Sequence, residues 1–390
     1  MFESVHDSKA LAALIFARIV YALNWMNLAA IFYLMRGDVG AGVSGLGTVT
    51  AVFYIGLGII QIPGGLLAAK YGPKKVVVVG IFLTSFSVLG TAEVSSILAL
   101  SVLRFLVGAG MAFVFAPGVV MVTRLLRGGR SGMGVGLFNS AFDFGGLVAI
   151  FGWVVLAEAT GWRLSLLTSG FLGVITGVLT FVVLPKDDVS SEFSLGLGPL
   201  VRTVTDRKMV LIGLGMLAYD VGNTIISGFM ILYLVTVQGV SGTTAGLVTS
   251  LITVIPIFTA LWAGRLYDTR RNHRLMMELG ALGSALSLAF GAYPTLYAAI
   301  ACAGLGGVVT GLGYTFGFAG ARDLNNEGRE YEGLAISWVN SIHLTGSFIP
   351  TLFFSYIAES LGYSQAWLWS AALTMVLFVP MLLLPKTWRR

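Results

Sequence analysis

The feature that most constrains this chain is a succession of apolar runs, each about 20 residues or longer, separated by short polar turns. They fall near 10–35, 44–69, 76–94, 97–123, 131–157, 164–184, 208–236, 243–266, 275–293, 295–320, 333–358 and 363–384. Each is long enough to cross a hydrocarbon layer. None alternates apolar and polar residues as barrel strands do, so helices must satisfy the backbone in lipid. The composition agrees: 56% of residues are hydrophobic and 11% charged, more apolar surface than a water-soluble fold can hide. Fifty-one glycines suit close helix packing in a bilayer. The reading is an all-α polytopic membrane protein with twelve transmembrane helices. Met1 to Lys9 shows no signal-peptide pattern, so the first helix is expected to stay in the membrane.

The net charge of +6 does not indicate nucleic acid, because the basic residues sit at alternate ends of the apolar runs. With the N-terminus placed in the cytoplasm, 20 of the 24 Lys and Arg residues lie on the inner side. Arg36 and Arg163 remain outside, and Arg18 and Arg104 within the membrane. The positive-inside rule therefore predicts a multi-pass plasma- or inner-membrane protein with both termini cytoplasmic.

The longest polar connection, Lys186 to Arg207, reads as a cytoplasmic linker (186–207) between an N-terminal bundle (1–185) and a C-terminal bundle (208–390). Internal repeats support that division. Leu184-Pro185-Lys186 recurs as Leu384-Pro385-Lys386, 200 residues later. Tyr33 and Tyr233 share that interval, and Asn139-Ser140 with Gly145 recurs as Asn340-Ser341 with Gly346 after 201. Matches in register point to two structural repeats related by an axis along the membrane normal.

With these features on the page, the chain resembles the major facilitator superfamily along its length. The family signature after the second helix is Gly-x-x-x-Asp-Arg-x-Gly followed by basic residues. Gly65, Lys70, Gly72, Lys74 and Lys75 match it in type, with Ala69 where the Asp belongs. Gly264, Leu266, Asp268 and Arg270 fit the second copy, with Thr269 at a basic position. Arg104 with Gly108 and Gly110 resembles the fourth-helix signature, and Gly161-Trp162-Arg163 is also similar to the family. The antiporter signature Gly-Pro-x-x-Gly-Gly is absent from the fifth run, around Ala149-Ile150 and Trp153-Val154. The resemblance implies two pseudo-symmetric six-helix bundles whose first, fourth, seventh and tenth helices line a central cavity. It also implies a cytoplasmic latch at Gly65, Lys70, Gly72, Lys74, Lys75, Gly264, Asp268 and Arg270. Lacking the first Asp, that latch is expected to be asymmetric, with the lysines facing Glu330 or Glu332 and Asp268 lying near Arg130.

A charge at membrane depth is costly and needs a partner or a purpose. Arg104 and Asp143, on successive helices, are expected to pair; released from the arginine, Asp143 could take up a proton. Asp220 and His343 fall near mid-depth on helices the resemblance sets side by side, a second candidate protonation switch. Arg18 either snorkels to the interface or faces the cavity and binds an anion. Tyr21, Asn24 and Asn27 share a face of the first helix, and Tyr219 and Asn223 surround Asp220. These residues, with Asn139, Asn340 and Trp338, are hydrogen-bonders for a polar solute or glue between helices. Trp162 and Trp388 read as interface anchors.

No enzyme constellation is present. There is no Walker loop, the three histidines and the single Cys302 form no metal cluster, and no cofactor is expected. The expected partners are a small-molecule substrate, protons or another coupling ion, and the lipid bilayer; nucleic acid is not among them, and the protein is expected to be monomeric. The function expected is proton-coupled secondary transport of a small polar or anionic solute by alternating access. Efflux of amphipathic compounds is the alternative, and a non-transporting receptor a further one.

Overall fold

The computed structural model describes residues 5–126, 131–186, 197–270, 272–327 and 331–388. No strand occurs among them. The first bundle comprises α1 (Val5–Met35), α2 (Val43–Tyr71), α3 (Pro73–Thr91), α4 (Ile97–Leu125), α5 (Ser131–Thr160) and α6 (Trp162–Val183). A linker helix, α7 (Leu197–Thr205), precedes the second. That bundle comprises α8 (Arg207–Thr236), α9 (Gly242–Thr269), α10 (His273–Gly291), α11 (Leu296–Leu324), the in-line pair α12 (Glu332–Gly346) and α13 (Phe348–Ser360), and α14 (Tyr363–Phe378) with a 3₁₀ turn, Val379–Leu383. Ten of these helices are long and apolar enough to cross a membrane; α10 and the α12–α13 pair account for the other two runs. Large apolar side chains such as Leu98, Phe258, Leu261 and Val182 point outward, as expected where lipid is the solvent.

Side-chain caps start several helices. Ser96 accepts from the Ala99 amide, Ser241 from Thr244, Thr295 from Ala298 and Asp206 from Lys208. The half-chain repeat extends to backbone conformation: Gly161 (φ 91°) and Gly362 (φ 89°) make the same left-handed turn before α6 and α14. At the first of these turns Asp38 accepts from Trp162 Nε1 (3.0 Å) and Arg163 Nη1 (2.8 Å). These bonds hold its carboxyl below the usual range. Trp162 is thus a buried tie between two turns. Trp388 is likewise buried, with its amide donating to His273 Nδ1 at 3.2 Å. A side chain at an interface keeps one end wet, and these two do not.

The eleventh run, expected to be one helix over 333–358, is interrupted at Ser347. Pro350, three residues on, has no amide proton for the Gly346 carbonyl, and its ring crowds that carbonyl. Such a break needs protein around it at membrane depth. Ser347 is fully buried, and its hydroxyl lies 2.8 Å from the His343 carbonyl.

Glycines set the helix spacing. A Cβ on Gly108 of α4 would overlap the Phe53 carbonyl of α2 and lie 2.9 Å from the Leu57 amide. A Cβ on Gly56 would meet the Phe105 carbonyl at 2.5 Å from the other side. Gly108→Val should therefore destabilise the first bundle by roughly 1–3 kcal/mol through overpacking. A lowered melting temperature of purified protein in detergent checks this.

The start of α1 at Val5 and the segment after the last 3₁₀ turn, bearing Trp388, define a terminal face; the opposite side is the distal face. One apolar core joins the two bundles in the distal half, packing Ile31, Phe32, Met35 and Leu46 with Phe229, Tyr233, Phe354 and Trp367. Toward the terminal face it divides. One core belongs to the first bundle around Leu14, Met111 and Val122, with Leu344 reaching across. The other belongs to the second, around Met216, Tyr267 and Phe316. The apolar cores merge on the distal side and divide toward the terminal side, where α2 still meets α12 through Asn340–Gln61 and Ser341–Gly58. Two seams flank the interface, α2 against α12–α13 and α5 against α9, and α1 packs against α8 between them.

Candidate functional site: a central guanidinium and a central carboxylate

Arg18 lies in the first bundle, buried at 6% exposure. Four rings surround its guanidinium carbon: Tyr21 at 4.3 Å, Phe142 at 4.7 Å, Phe115 at 4.9 Å and Phe138 at 5.0 Å. These come from α1, α4 and α5, and their quadrupoles attract a cation. The Nε and Nη1 atoms have no hydrogen-bond partner. Such buried donors are rare and invite an acceptor. Asp143, on α5, lies within electrostatic reach of Arg18 but forms no ion pair with it. Asn139, one turn earlier, is half-buried. The aromatic wall continues through Trp25, Phe53 and Tyr54, with ring centroids 5.0–5.9 Å apart.

The expected Arg104–Asp143 pair is not formed. Arg104 instead donates to Asn27 Oδ1 (3.1 Å) and the Trp25 carbonyl (3.2 Å), beneath the Phe53 ring. The chain continues from Asn27 to Ser169 (3.1 Å), and from Ser169 to Asn24 (3.1 Å). Asn24, Asn27 and Arg104 thus tie α1, α4 and α6 together inside the first bundle. The side-chain amides of Asn24 and Asn27 and both Nη atoms of Arg104 already have partners, which fits helix glue, while Arg104 Nε has none.

Across the interface, Asp220 of α8 collects four donors. Tyr314 Oη is 2.6 Å from Oδ1 and Asn223 Nδ2 3.2 Å; Thr224 Oγ1 is 3.0 Å from Oδ2, which Ser347 Oγ also contacts. His343 is not a direct partner of Asp220. Its ring packs edge-on against Tyr314, with centroids 5.6 Å apart, and its Nδ1 lies 3.4 Å from the Val339 carbonyl. A tyrosine and two hydroxyls fill the space an imidazole would need. The Tyr219 hydroxyl is also committed, donating to the Met277 carbonyl at 2.5 Å. A small pocket is lined by Met216, Tyr219, Asp220, Asn223, Thr310, Gly313 and Tyr314. Tyr54 of the first bundle lies 3.4 Å from Thr224, so the carboxylate cluster reaches the opposite bundle.

Asn340 donates to Gln61 across the α2 seam (3.0 Å), beside Ser341, which donates to the Gly58 carbonyl (2.6 Å). Asn340 is therefore a seam residue. Trp338 is partly buried in the second bundle's core, and its Nε1 has no partner.

At the terminal face Gly72 (φ 96°) forms the α2–α3 turn. Lys74 donates to the Leu184 carbonyl at 2.6 Å, where the end of α6 favours a cation. This bond stays within the first bundle, unlike the bridge expected to Glu332. Lys70 lies over Tyr71, and Lys75 is exposed beside Lys74. Gly65 and Gly264 face open space. Asp268 and Arg270 are exposed at the end of α9. Arg130 and Glu330 lie outside the described residues. The linker helix is held to the second bundle by Arg202–Glu327 at 2.8 Å.

Tyr54, Thr224, Tyr314, Ser347 and the phenylalanines around Arg18 were not anticipated. Thr224, one helical turn after Asp220, was open to inference from spacing. The others come from helices that meet only in three dimensions.

Comparison with known proteins agrees with this architecture. The chain is 24% identical over 369 residues to an uncharacterised MFS-type transporter of Methanocaldococcus jannaschii, covering 90% of this chain and 91% of that one. It is 26% identical to a probable galactarate/D-glucarate transporter, GudP, of Escherichia coli, over 64% of this chain and 62% of that one. It is 30% identical to a probable sulfoacetate transporter, SauU, of Cupriavidus necator, over 38% of this chain and 34% of that one. Among solved structures, it resembles an inward-facing, occupied bacterial homologue of the lysosomal transporter Spinster. The TM-score is 0.76 at 14% identity, over 97% of this chain and 96% of that one. The nucleoside transporter NupG is similar in fold (TM-score 0.78, 16% identity, 96% and 99% covered). The family model of the Major Facilitator Superfamily matches residues 14–213 and 212–389, and the chain belongs to that superfamily of membrane transporters.

Proposed function

We propose that this protein is a proton-coupled secondary transporter of small organic anions, bearing a carboxylate or a similar acidic group. It works as a monomer in a cell membrane, with the terminal face cytoplasmic. The observation that carries the proposal is Arg18: a buried guanidinium in an aromatic box, with two nitrogens lacking acceptors. A carboxylate supplies the missing acceptors in paired geometry. Two relatives are named as probable transporters of galactarate and glucarate or of sulfoacetate, solutes of this chemistry. The bundles at 1–185 and 208–390, joined by 186–207, rock about the site between Arg18 and Asp220. Coupling falls to Asp143 and Asp220, with His343 behind Tyr314. The continuous aromatic wall favours a second reading, efflux of amphipathic compounds, and a quinolone resistance transporter of Acinetobacter baumannii is 25% identical over 43% of this chain.

Proteoliposomes containing the purified protein and a panel of radiolabelled organic acids test this. A small carboxylate should enter, and a proton gradient should drive its accumulation. Indifference of every acid to that gradient overturns the coupling. Transport confined to uncharged or cationic amphiphiles overturns the anion reading in favour of efflux.

A further inference from the structure

The distal rims of the two seams carry the same construction twice. Glu158, at the end of α5, accepts from Tyr33 Oη at 3.0 Å and from Thr243 Oγ1, in the first turn of α9, at 2.8 Å. Glu359, at the end of α13, accepts from the Ser44 amide, in the first turn of α2, at 2.7 Å. The glutamates are 201 residues apart, the interval that relates Asn139 to Asn340. Their partners Thr243 and Ser44 are 199 apart. A glycine makes room in each copy. A Cβ on Gly242 would overlap Tyr33 Oη and Glu158 Oε1, and one on Gly42 would meet Glu359 Oε1 at 3.3 Å.

In each copy a carboxylate from one bundle grips the first turn of a helix in the other. A helix start favours an anion, and such hydrogen bonds are charge-assisted. The copies differ in one respect. Tyr33 joins Glu158, whereas the hydroxyl of Tyr233, 200 residues later, has no partner, and its ring packs against Tyr363 at 5.2 Å.

We propose that Glu158 and Glu359 are paired gating residues of the distal side, closed in the state seen here and released together when the bundles part there. The proposal rests on the alternating-access reading above. Both clamps are exposed and lie at the outer rims of opposite seams. Water can replace exposed hydrogen bonds at modest cost, which suits contacts that must break in every cycle. A rigid-body opening breaks both at once, whereas fraying breaks one.

The test is cysteine labelling in nanodiscs, where both faces are accessible. The single native cysteine, Cys302, is buried, so an introduced thiol dominates the signal. Ser355→Cys faces Gly47 across the α2 seam, and Thr253→Cys faces Gly146 across the α9 seam; both positions are now buried. Glu158→Ala should raise maleimide labelling at both reporters about fivefold, as expected for losing a modest hydrogen bond that holds the closed state. Glu359→Ala should do the same. Glu158→Gln, which keeps one acceptor oxygen, should fall between. A rise confined to the mutated seam, or no rise, overturns the gate. Gly65→Cys, which faces open space at the terminal side, separates this outcome from the underlying reading. If both distal reporters rise and Gly65→Cys loses reactivity, gate and alternating access both stand. If the distal reporters rise and Gly65→Cys does not change, the gate stands and alternating access fails.

Discussion

Replacing Arg18 with methionine should remove binding of the organic anion while leaving the protein folded, and at least as stable in the absence of ligand. Arg18 is held by four rings yet has two nitrogens without acceptors. Burying a guanidinium costs several kcal/mol, and ring contacts contribute about 0.5–2 kcal/mol, so the ligand-free site is not optimised for stability. Replacing such a charge with an apolar side chain of similar volume is often neutral or stabilising. Truncating one partner of a buried charge pair in a complex costs about 2–5 kcal/mol, a roughly 30-fold to several-thousandfold loss of affinity. Arg18→Lys keeps the charge but loses the planar fork, and should recover only a small part of the affinity. Thermal-shift titration reads both effects, because a ligand that binds the folded state raises its melting temperature. Wild-type ligand shifts in Arg18→Met would place the anion elsewhere. A ligand-free protein that melts far earlier would make Arg18 structural.

The fold was legible because the bilayer leaves so few options. Twelve apolar runs required helices, and the interval of about 200 residues between Leu184 and Leu384, or Asn139 and Asn340, exposed the duplication. The same interval relates Gly161 to Gly362 and Glu158 to Glu359, whose equivalence becomes plain only once their turns and partners are seen. The rarity of charge at membrane depth picked out Arg18, Arg104, Asp143, Asp220 and His343. Their pairing was not legible. Arg104 and Asp143 have opposite charges on successive helices, yet Arg104 finds neutral oxygens on α1 because α4 packs its face there. Asp220 and His343 share a depth, but Tyr314, from a third helix, occupies the space between their roles. One-dimensional spacing gives depth and face along a single helix. It does not give the rotation of one helix against another, which decides which side chains meet. The break at Ser347 was signalled by Pro350, and an apolar run that otherwise reads as continuous concealed it.

Asp220→Asn should abolish accumulation driven by a proton gradient, by about 100-fold or more, while exchange of labelled for unlabelled substrate stays within a few-fold of wild type. The argument turns on counting protons. Ser347 Oγ lies within hydrogen-bond reach of both Asp220 Oδ2 and the His343 carbonyl, and a hydroxyl has one proton to give. Directed at Asp220, that proton serves an ionised carboxylate. Directed at the His343 carbonyl, it leaves Ser347 to accept a proton from a neutral carboxyl group. Thr224 can turn in the same way, because its oxygen is 3.0 Å from Asp220 and 3.4 Å from Tyr54 Oη. Rotation of two hydroxyls therefore accommodates either charge state without moving a helix, which a reversible proton carrier requires. On the proposed coupling, the contact between Thr224 and Tyr54 passes the choice to the other bundle. Asparagine imitates only the neutral state: its amide has a fixed donor and cannot ionise. The halves can still alternate around bound substrate, so exchange persists, but no proton is carried with it. Tyr54→Phe tests the link between bundles, and should slow gradient-driven uptake more than exchange. Counterflow and gradient-driven uptake in the same proteoliposome preparation separate the two activities. Wild-type accumulation by the Asp220→Asn variant would remove Asp220 from the coupling and leave Asp143, beside Arg18, as the carboxylate to test.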